Sequence, residues 1–332
     1  MLSSFVPSYV AAKFQLSRPE YTPLHQFKHI FGVHNLVVKD EGSNLTGSIT
    51  DRFVFEMLSP VVSQIQAGNF NKPITFAVSN LPGIQKSIDF YCRQLDAQLN
   101  RDLVGAIIFV SGMNRPIQAN PFTVLKNDGL SFCTVVQLRN LLNEYTPKDL
   151  EEIAQSLDIC RGTFVDATRG IERASYSPLM REIIEQNNGM EPNYVVAPFE
   201  DPILCNEIED YISDHQLDTK LIPVSLAPEY SENIQKYSTF HFSGLKIKRR
   251  KWYQSIQEPF DKKNRYRRRC EVFHAKPEAT DLALTELRQR HLSASAQSAA
   301  SFSILRELPQ IDPSFDSTKH SVAVINIARM ED

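Results

Sequence analysis

Three features of the 332-residue sequence predict an α/β fold with mainly parallel sheets. Short apolar runs of strand length alternate with segments whose apolar residues recur at helical spacing, the order that builds parallel sheets. The runs at 74–78, 104–110, 133–138, 194–197, 221–226 and 321–327 are nearly continuous in apolar character, as strands covered on both faces are. The composition, 42% hydrophobic and 23% charged, is that of an ordinary globular chain.

Taken in order, residues 1–20 read as an irregular or partly helical lead-in, with no basic region that would open a signal peptide. A short helix is predicted near 25–31, then a strand at 35–39. A polar turn follows, and a helix opening near Thr46 or Ser48 carries Phe53, Phe55, Met57, Leu58, Val61 and Val62. Pro60 should kink or divide it, because proline removes one backbone donor. The strand at 74–78 leads through the loop Ser79-Asn80-Leu81-Pro82-Gly83 into a helix with Ile84, Ile88, Tyr91 and Leu95 on one face. Residues 148–157 read as a helix, with Pro147 suited to its first position and acids in its first turn. Helices at 179–186, 202–215 and 277–290 alternate with the later strands, and 292–305, rich in Ser and Ala, precedes the last one.

No apolar run approaches the roughly 18 residues of a membrane-spanning helix. Five scattered cysteines, Cys92, Cys133, Cys160, Cys205 and Cys270, have no paired spacing. They fit a reduced, cytoplasmic compartment and argue against disulfides or a structural zinc site. The net charge of −3 conceals an asymmetry. Residues 246–269 hold eleven Lys/Arg and two acids, leaving 25 basic and 37 acidic residues elsewhere. Lys248, Arg249, Arg250, Lys251, Arg265, Arg267, Arg268 and Arg269 form two clusters interleaved with Trp252, Tyr253, Phe260 and Tyr266. Such a block suits an anionic macromolecule, a lipid headgroup surface or an acidic protein face. It equally suits a solvated excursion paired with acids of a second subunit in a homodimer. The run 248–251 also has the form of a nuclear-import signal.

The most specific stretch is 39–52, KDEGSNLTGSITDR. It resembles the signature K-x-E-x-x-N-P-T-G-S-F-K-D-R of the fold-type-II pyridoxal-phosphate enzymes: threonine synthase, cysteine synthase, serine dehydratase and the tryptophan synthase β chain. Lys39, Glu41, Asn44, Thr46, Gly47, Ser48, Asp51 and Arg52 match. Elsewhere the resemblance is one of element order over about 21–329, including Thr22-Pro23-Leu24 at its start. It implies two α/β domains of mostly parallel sheets flanked by helices, a larger one from 1–59 and 166–332 and a smaller one from 60–165, with an interdomain cleft.

The same resemblance locates three departures. The imine-forming lysine falls on Thr50, whose alcohol cannot make that bond with the cofactor aldehyde. The loop for the substrate carboxylate, usually S-S-G-N-x-G, reads Val78-Ser79-Asn80-Leu81-Pro82-Gly83 and keeps only Ser79 and Gly83. The glycine-rich phosphate cup is replaced by Pro198-Phe199-Glu200-Asp201-Pro202, which sets two carboxylates where a phosphate dianion would lie. Twelve glycines, about half the usual share of roughly 7%, agree with the loss of such loops. Lys39 is the one substitute amine in the motif, but the family has a lysine there besides its imine lysine, so a structural role is expected. Glu200 and Asp201 could serve as acid/base groups or metal ligands, or as acids that favour the following helix N-terminus. His25 and His29, four apart on the predicted helix, have metal-ligand spacing but lack a third ligand type nearby. The leading expectation is a non-catalytic homologue that binds a partner and holds no cofactor. An enzyme of another reaction class using the same cleft, and a still-active lyase or synthase, stay open as alternatives.

Overall fold

The computed structural model describes residues 21–67, 72–81, 83–99, 104–110, 122–125, 132–138, 142–158, 162–168, 175–199, 202–226 and 272–329. Backbone contacts divide the chain into two compact units, before Thr50 and after Ser175.

The first unit holds the described parts of 50–175. Its helix α1, Thr50–Gln66, is followed by β3, Ile74–Ser79, α2, Ile84–Leu99, and β4, Val104–Val110. Then come β5, Phe122–Leu125, β6, Cys133–Leu138, α3, Pro147–Ser156, and β7, Thr163–Asp166. The sheet runs β5-β6-β4-β3-β7, parallel except for the β5–β6 pair. The period of two in β3 and β4 sorts their side chains between two cores. Phe76, Val78, Ile108 and Val110 join Phe53, Met57, Leu58, Ile88 and Leu95 of α1 and α2. Ala77, Ile107 and Phe109 face Leu150, Ile153 and Ala154 of α3. Thr146 and Asp149 close a reciprocal capping box at the start of α3. The sequence-based range 60–165 lies inside this unit. Residues 50–59 belong with it because Phe53, Val54, Met57 and Leu58 are buried in its core.

The second unit contains 20–49 and the described residues after 175. Strands β1, Leu24–Ile30, and β2, Val33–Asp40, form an antiparallel hairpin. Helix α4, Leu179–Gln186, β8, Tyr194–Pro198, α5, Pro202–Asp214, and β9, Lys220–Leu226, follow. Strand β10, Phe273–Ala275, α6, Pro277–Gln289, α7, Ala296–Ser303, and β11, Ser321–Asn326, complete it. The sheet order is β1-β2-β11-β8-β9-β10, parallel beyond the hairpin. Helices α4 and α5 cover one face through Leu179, Ile183, Ile208 and Ile212. Helices α6 and α7 cover the other, and the small residues Ala299 and Ala300 let α7 lie close to the strands.

Four expectations are corrected. Residues 25–31 are not helical: 24–30 is the edge strand β1, half exposed and held by β2. His25 and His29 therefore share a strand, not a helix face, and His25 points to Asp40 at 3.5 Å. The helix opens at Thr50 and not at Thr46 or Ser48. Ser48 instead bridges Ala328, and the Ile49 amide donates to the Ile327 carbonyl at 2.8 Å. Pro60 does not divide α1. One absent donor costs less than the burial of Met57, Leu58, Val61 and Ile65 around it returns. Strands β5, β7 and β10 are additions to the predicted set.

Candidate functional site

The turn after β2 carries most of the motif. Lys39 is fully buried and its ammonium has an acceptor for each of its three protons. These are Glu182 Oε2 at 2.7 Å, the Thr22 carbonyl at 2.8 Å and Gln186 Oε1 at 2.9 Å. Glu182 and Gln186 stand one turn apart on α4, so a single helix face supplies both partners. Gln186 also donates to the Thr22 carbonyl at 2.9 Å. Glu41, fully buried, accepts from the Thr22 hydroxyl at 2.5 Å and from Asn44 Nδ2 at 2.8 Å. Asn44 Nδ2 also reaches the Glu41 carbonyl at 2.9 Å, while its Oδ1 is buried without a partner. Gly47 has φ +89°, a left-handed turn position that glycine takes without a Cβ penalty. Ser48 is buried in the bridge to Ala328. The matching Lys, Glu and Asn thus hold the loop to β2 and α4.

Thr50 is the first residue of α1 and is 1% exposed. Its Oγ1 lies 2.9 Å from Ser87 Oγ, and Ser87 donates to Asp51 Oδ1 at 2.6 Å. Ser87 has one hydroxyl proton and gives it to the carboxylate, so Thr50 is the donor of the first bond. The chain Thr50–Ser87–Asp51 is enclosed, with Ser87 and Asp51 both fully buried. One turn along α2, Tyr91 is also fully buried and its hydroxyl has no partner. Burial, and then the Asp51 charge, hold that phenol far above its usual range. Cys133 is pushed up to about 12 by burial and secondarily by Asp89, which leaves it a thiol and no nucleophile at neutral pH.

Ser79 ends β3, and it and Asn80 are half-buried. Leu81 turns its side chain onto the α1–α2 core. Gly83 takes φ +77°, and the Ile84 amide is spent on the Leu81 carbonyl at 3.1 Å. A loop with a leucine anchored in the core and its first helical amide already used differs from one that offers amides to a carboxylate. Glu200, Asp201 and the basic residues Lys248, Arg249, Arg250, Lys251, Arg265, Arg267, Arg268 and Arg269 lie outside the described residues.

Among solved structures, the chain is similar to a pyridoxal 5′-phosphate-dependent aspartate racemase, with 12% identity, a TM-score of 0.60, and coverage of 94% of this chain and 91% of that one. The fold is that of the fold-type-II pyridoxal-phosphate enzymes. An L-serine ammonia-lyase from Rhizomucor miehei aligns at 15% identity and TM-score 0.59 over 94% of each chain. Diaminopropionate ammonia lyase from Escherichia coli, solved with an aminoacrylate–pyridoxal-phosphate azomethine, aligns at 14% and 0.55 over 98% of this chain and 91% of that one. No protein-family model and no curated protein matches the sequence. Identities this low speak for the fold-type-II architecture and leave the chemistry to the residues.

Sequence reasoning named Thr50 but not Ser87, and Lys39 but not Glu182 or Gln186. The i, i+4 spacing of Glu182 and Gln186 was a readable sign of a helix face, though not of its target. Among the described residues no group of three or more His, Cys, Asp or Glu side chains could hold a metal ion.

Proposed function

We propose that this chain is a non-catalytic homologue of the fold-type-II pyridoxal-phosphate enzymes, that it forms no imine with that cofactor, and that it acts by binding an anionic partner through residues 246–269. The observation that carries the first part is the state of the two motif positions that would matter. Thr50 has a hydroxyl where the resemblance calls for an amine, and that hydroxyl is committed to Ser87 in an enclosed chain ending on Asp51. Lys39, the substitute amine, is an ammonium with all three protons accepted inside the second unit. A protonated, saturated amine is no nucleophile. The residues present do not fit the cofactor's covalent attachment.

Thr50→Lys supplies an amine and leaves the other departures in place: the leucine-anchored loop 79–83 and the acidic pair Glu200 and Asp201. The variant is expected to remain without cofactor. Titration with pyridoxal phosphate, followed by the visible absorbance of its imine, checks this. Saturable one-to-one binding in the micromolar range would refute it, and the same titration of the unaltered chain tests the parent reading.

Partner binding rests on charge. Eleven cations in 24 residues stand against a remainder with twelve more acids than bases, so polyanion affinity should localise to this segment. Binding to a polyanion such as heparin is expected to weaken at least about tenfold between roughly 50 and 200 mM salt. Replacing Lys248, Arg249, Arg250 and Lys251 together by Ser should reduce the affinity and leave stability within about 1 kcal/mol. If the same replacement instead dissociates an oligomer in sedimentation and lowers the melting temperature without changing polyanion binding, the segment is a subunit contact.

A further inference from the structure

The hairpin of β1 and β2 turns at Phe31 and Gly32, both left-handed at φ +51° and +78°. Two consecutive positive φ values make the tight loop whose twist suits a hairpin. The flanking pairs Lys28↔Asn35 and Ile30↔Val33 set His29 directly opposite His34. The two Nδ1 atoms are 3.2 Å apart, with ring centroids at 4.1 Å and planes at 89°. The His29–His34 contact is exposed to solvent. His29 itself is held at φ +56° inside a strand. A left-handed backbone strains a non-glycine residue in such a place, and residues held that way concentrate at binding sites.

We propose that His29 and His34 form a two-histidine site for a divalent transition-metal ion of the kind imidazole prefers: Zn²⁺, Ni²⁺ or Cu²⁺. Nitrogen donors at the usual metal distance on a four- to six-coordinate ion stand about 2.9–3.4 Å apart, and the observed 3.2 Å falls in that interval. Without metal, one Nδ1–H donates to the other Nδ1. On binding, that proton moves to Nε2 through solvent, both rings stay neutral, and two waters of the hydrated ion are displaced. Directly opposed strand positions fix the separation in advance, so little side-chain freedom remains to be lost. His25, on the same strand, faces Asp40 and is not part of the site. Water completes the coordination sphere. The site is separate from the loop holding Lys39 and does not depend on the fate of the cofactor.

The test uses the tag-free full chain titrated calorimetrically with NiCl₂ or CuCl₂, with thermal unfolding in parallel. His34→Ala and His29→Asn should each lower the stoichiometry by one ion and abolish the metal-induced rise in melting temperature. Asparagine tolerates the left-handed backbone, which keeps His29→Asn a test of ligation and not of folding. Copper should bind more tightly than zinc. His25→Ala should leave the isotherm unchanged. Isotherms of His29→Asn and His34→Ala that match the parent chain overturn the proposal, as does an equal loss in His25→Ala.

Discussion

Lys39→Met is expected to lower unfolding stability by about 3–5 kcal/mol, the usual result of removing one partner of a buried ion pair. The substitution keeps the length and apolar stem of the side chain but leaves Glu182, the Thr22 carbonyl and Gln186 facing a thioether. Glu182 is 5% exposed, so water cannot replace the ammonium without opening α4 from β2. The charge left behind dominates the loss, since a lost hydrogen bond to a charged group is worth about 1.5–3 kcal/mol. Pairing Lys39→Met with Glu182→Leu should recover much of the stability, because exchanging both charges for apolar groups of similar volume is often neutral. Urea unfolding at an unchanged slope measures both. A loss under about 1 kcal/mol in the single variant would mean that the amine is not bound as the geometry places it, and would restore it as a candidate nucleophile.

The match over 39–52 was legible in the sequence, but two kinds of residue are mixed within it. Lys39, Glu41 and Asn44 fasten the turn, and their partners Thr22, Glu182 and Gln186 come from the same unit. The fold needs them whatever stands at position 50, since each is buried with its partner. A structural role for Lys39 was expected, but its partners were not legible, because the Glu182 carboxylate lies 143 positions along the chain.

Most of the parallel sheet was readable because buried strands leave a simple trace. Runs such as 104–110 and 194–198 have no polar face to confuse with a helix, and turn residues bound them. The hairpin strand 24–30 was misread for a specific reason. Its apolar residues Leu24, Phe27 and Ile30 recur every third position, a helical spacing, and it sits at a half-exposed sheet edge where alternation is relaxed. The left-handed His29 breaks the strict period further. The start of α1 was misplaced because Gly47-Ser48 has the look of a helix cap, while the backbone there is held by Ile327 and Ala328, some 280 residues later. Local signals cannot show such a partner.

Gly162→Ala is expected to cost at least about 3 kcal/mol, because two penalties fall on one residue. Its φ of +87° is a backbone conformation that costs an L-residue about 1–2 kcal/mol. A Cβ there would also stand 2.2 Å from the Pro73 carbonyl oxygen, 3.0 Å from its carbon and 3.2 Å from its nitrogen. These are backbone atoms, so no side chain can swing aside. The Pro73 carbonyl also accepts the Thr163 amide at 2.9 Å, next to the Ile74↔Thr163 pair that starts the β3–β7 ladder. Moving it would disturb β3, which lies between β4 and β7 and sends Ile74, Phe76 and Val78 into the core shared with α1. Gly189→Ala isolates the two terms. Gly189 has φ +78° with nothing within 4 Å of the added atom, so it should lose only the conformational part, about 1–2 kcal/mol. Unfolding of the two variants side by side gives the difference. Equal losses would show that the Pro73 carbonyl can yield without cost. A larger loss at Gly162, with hydrogen exchange quickened in β3 and at the Thr50 end of α1, would show that this close approach holds together the unit that carries Thr50.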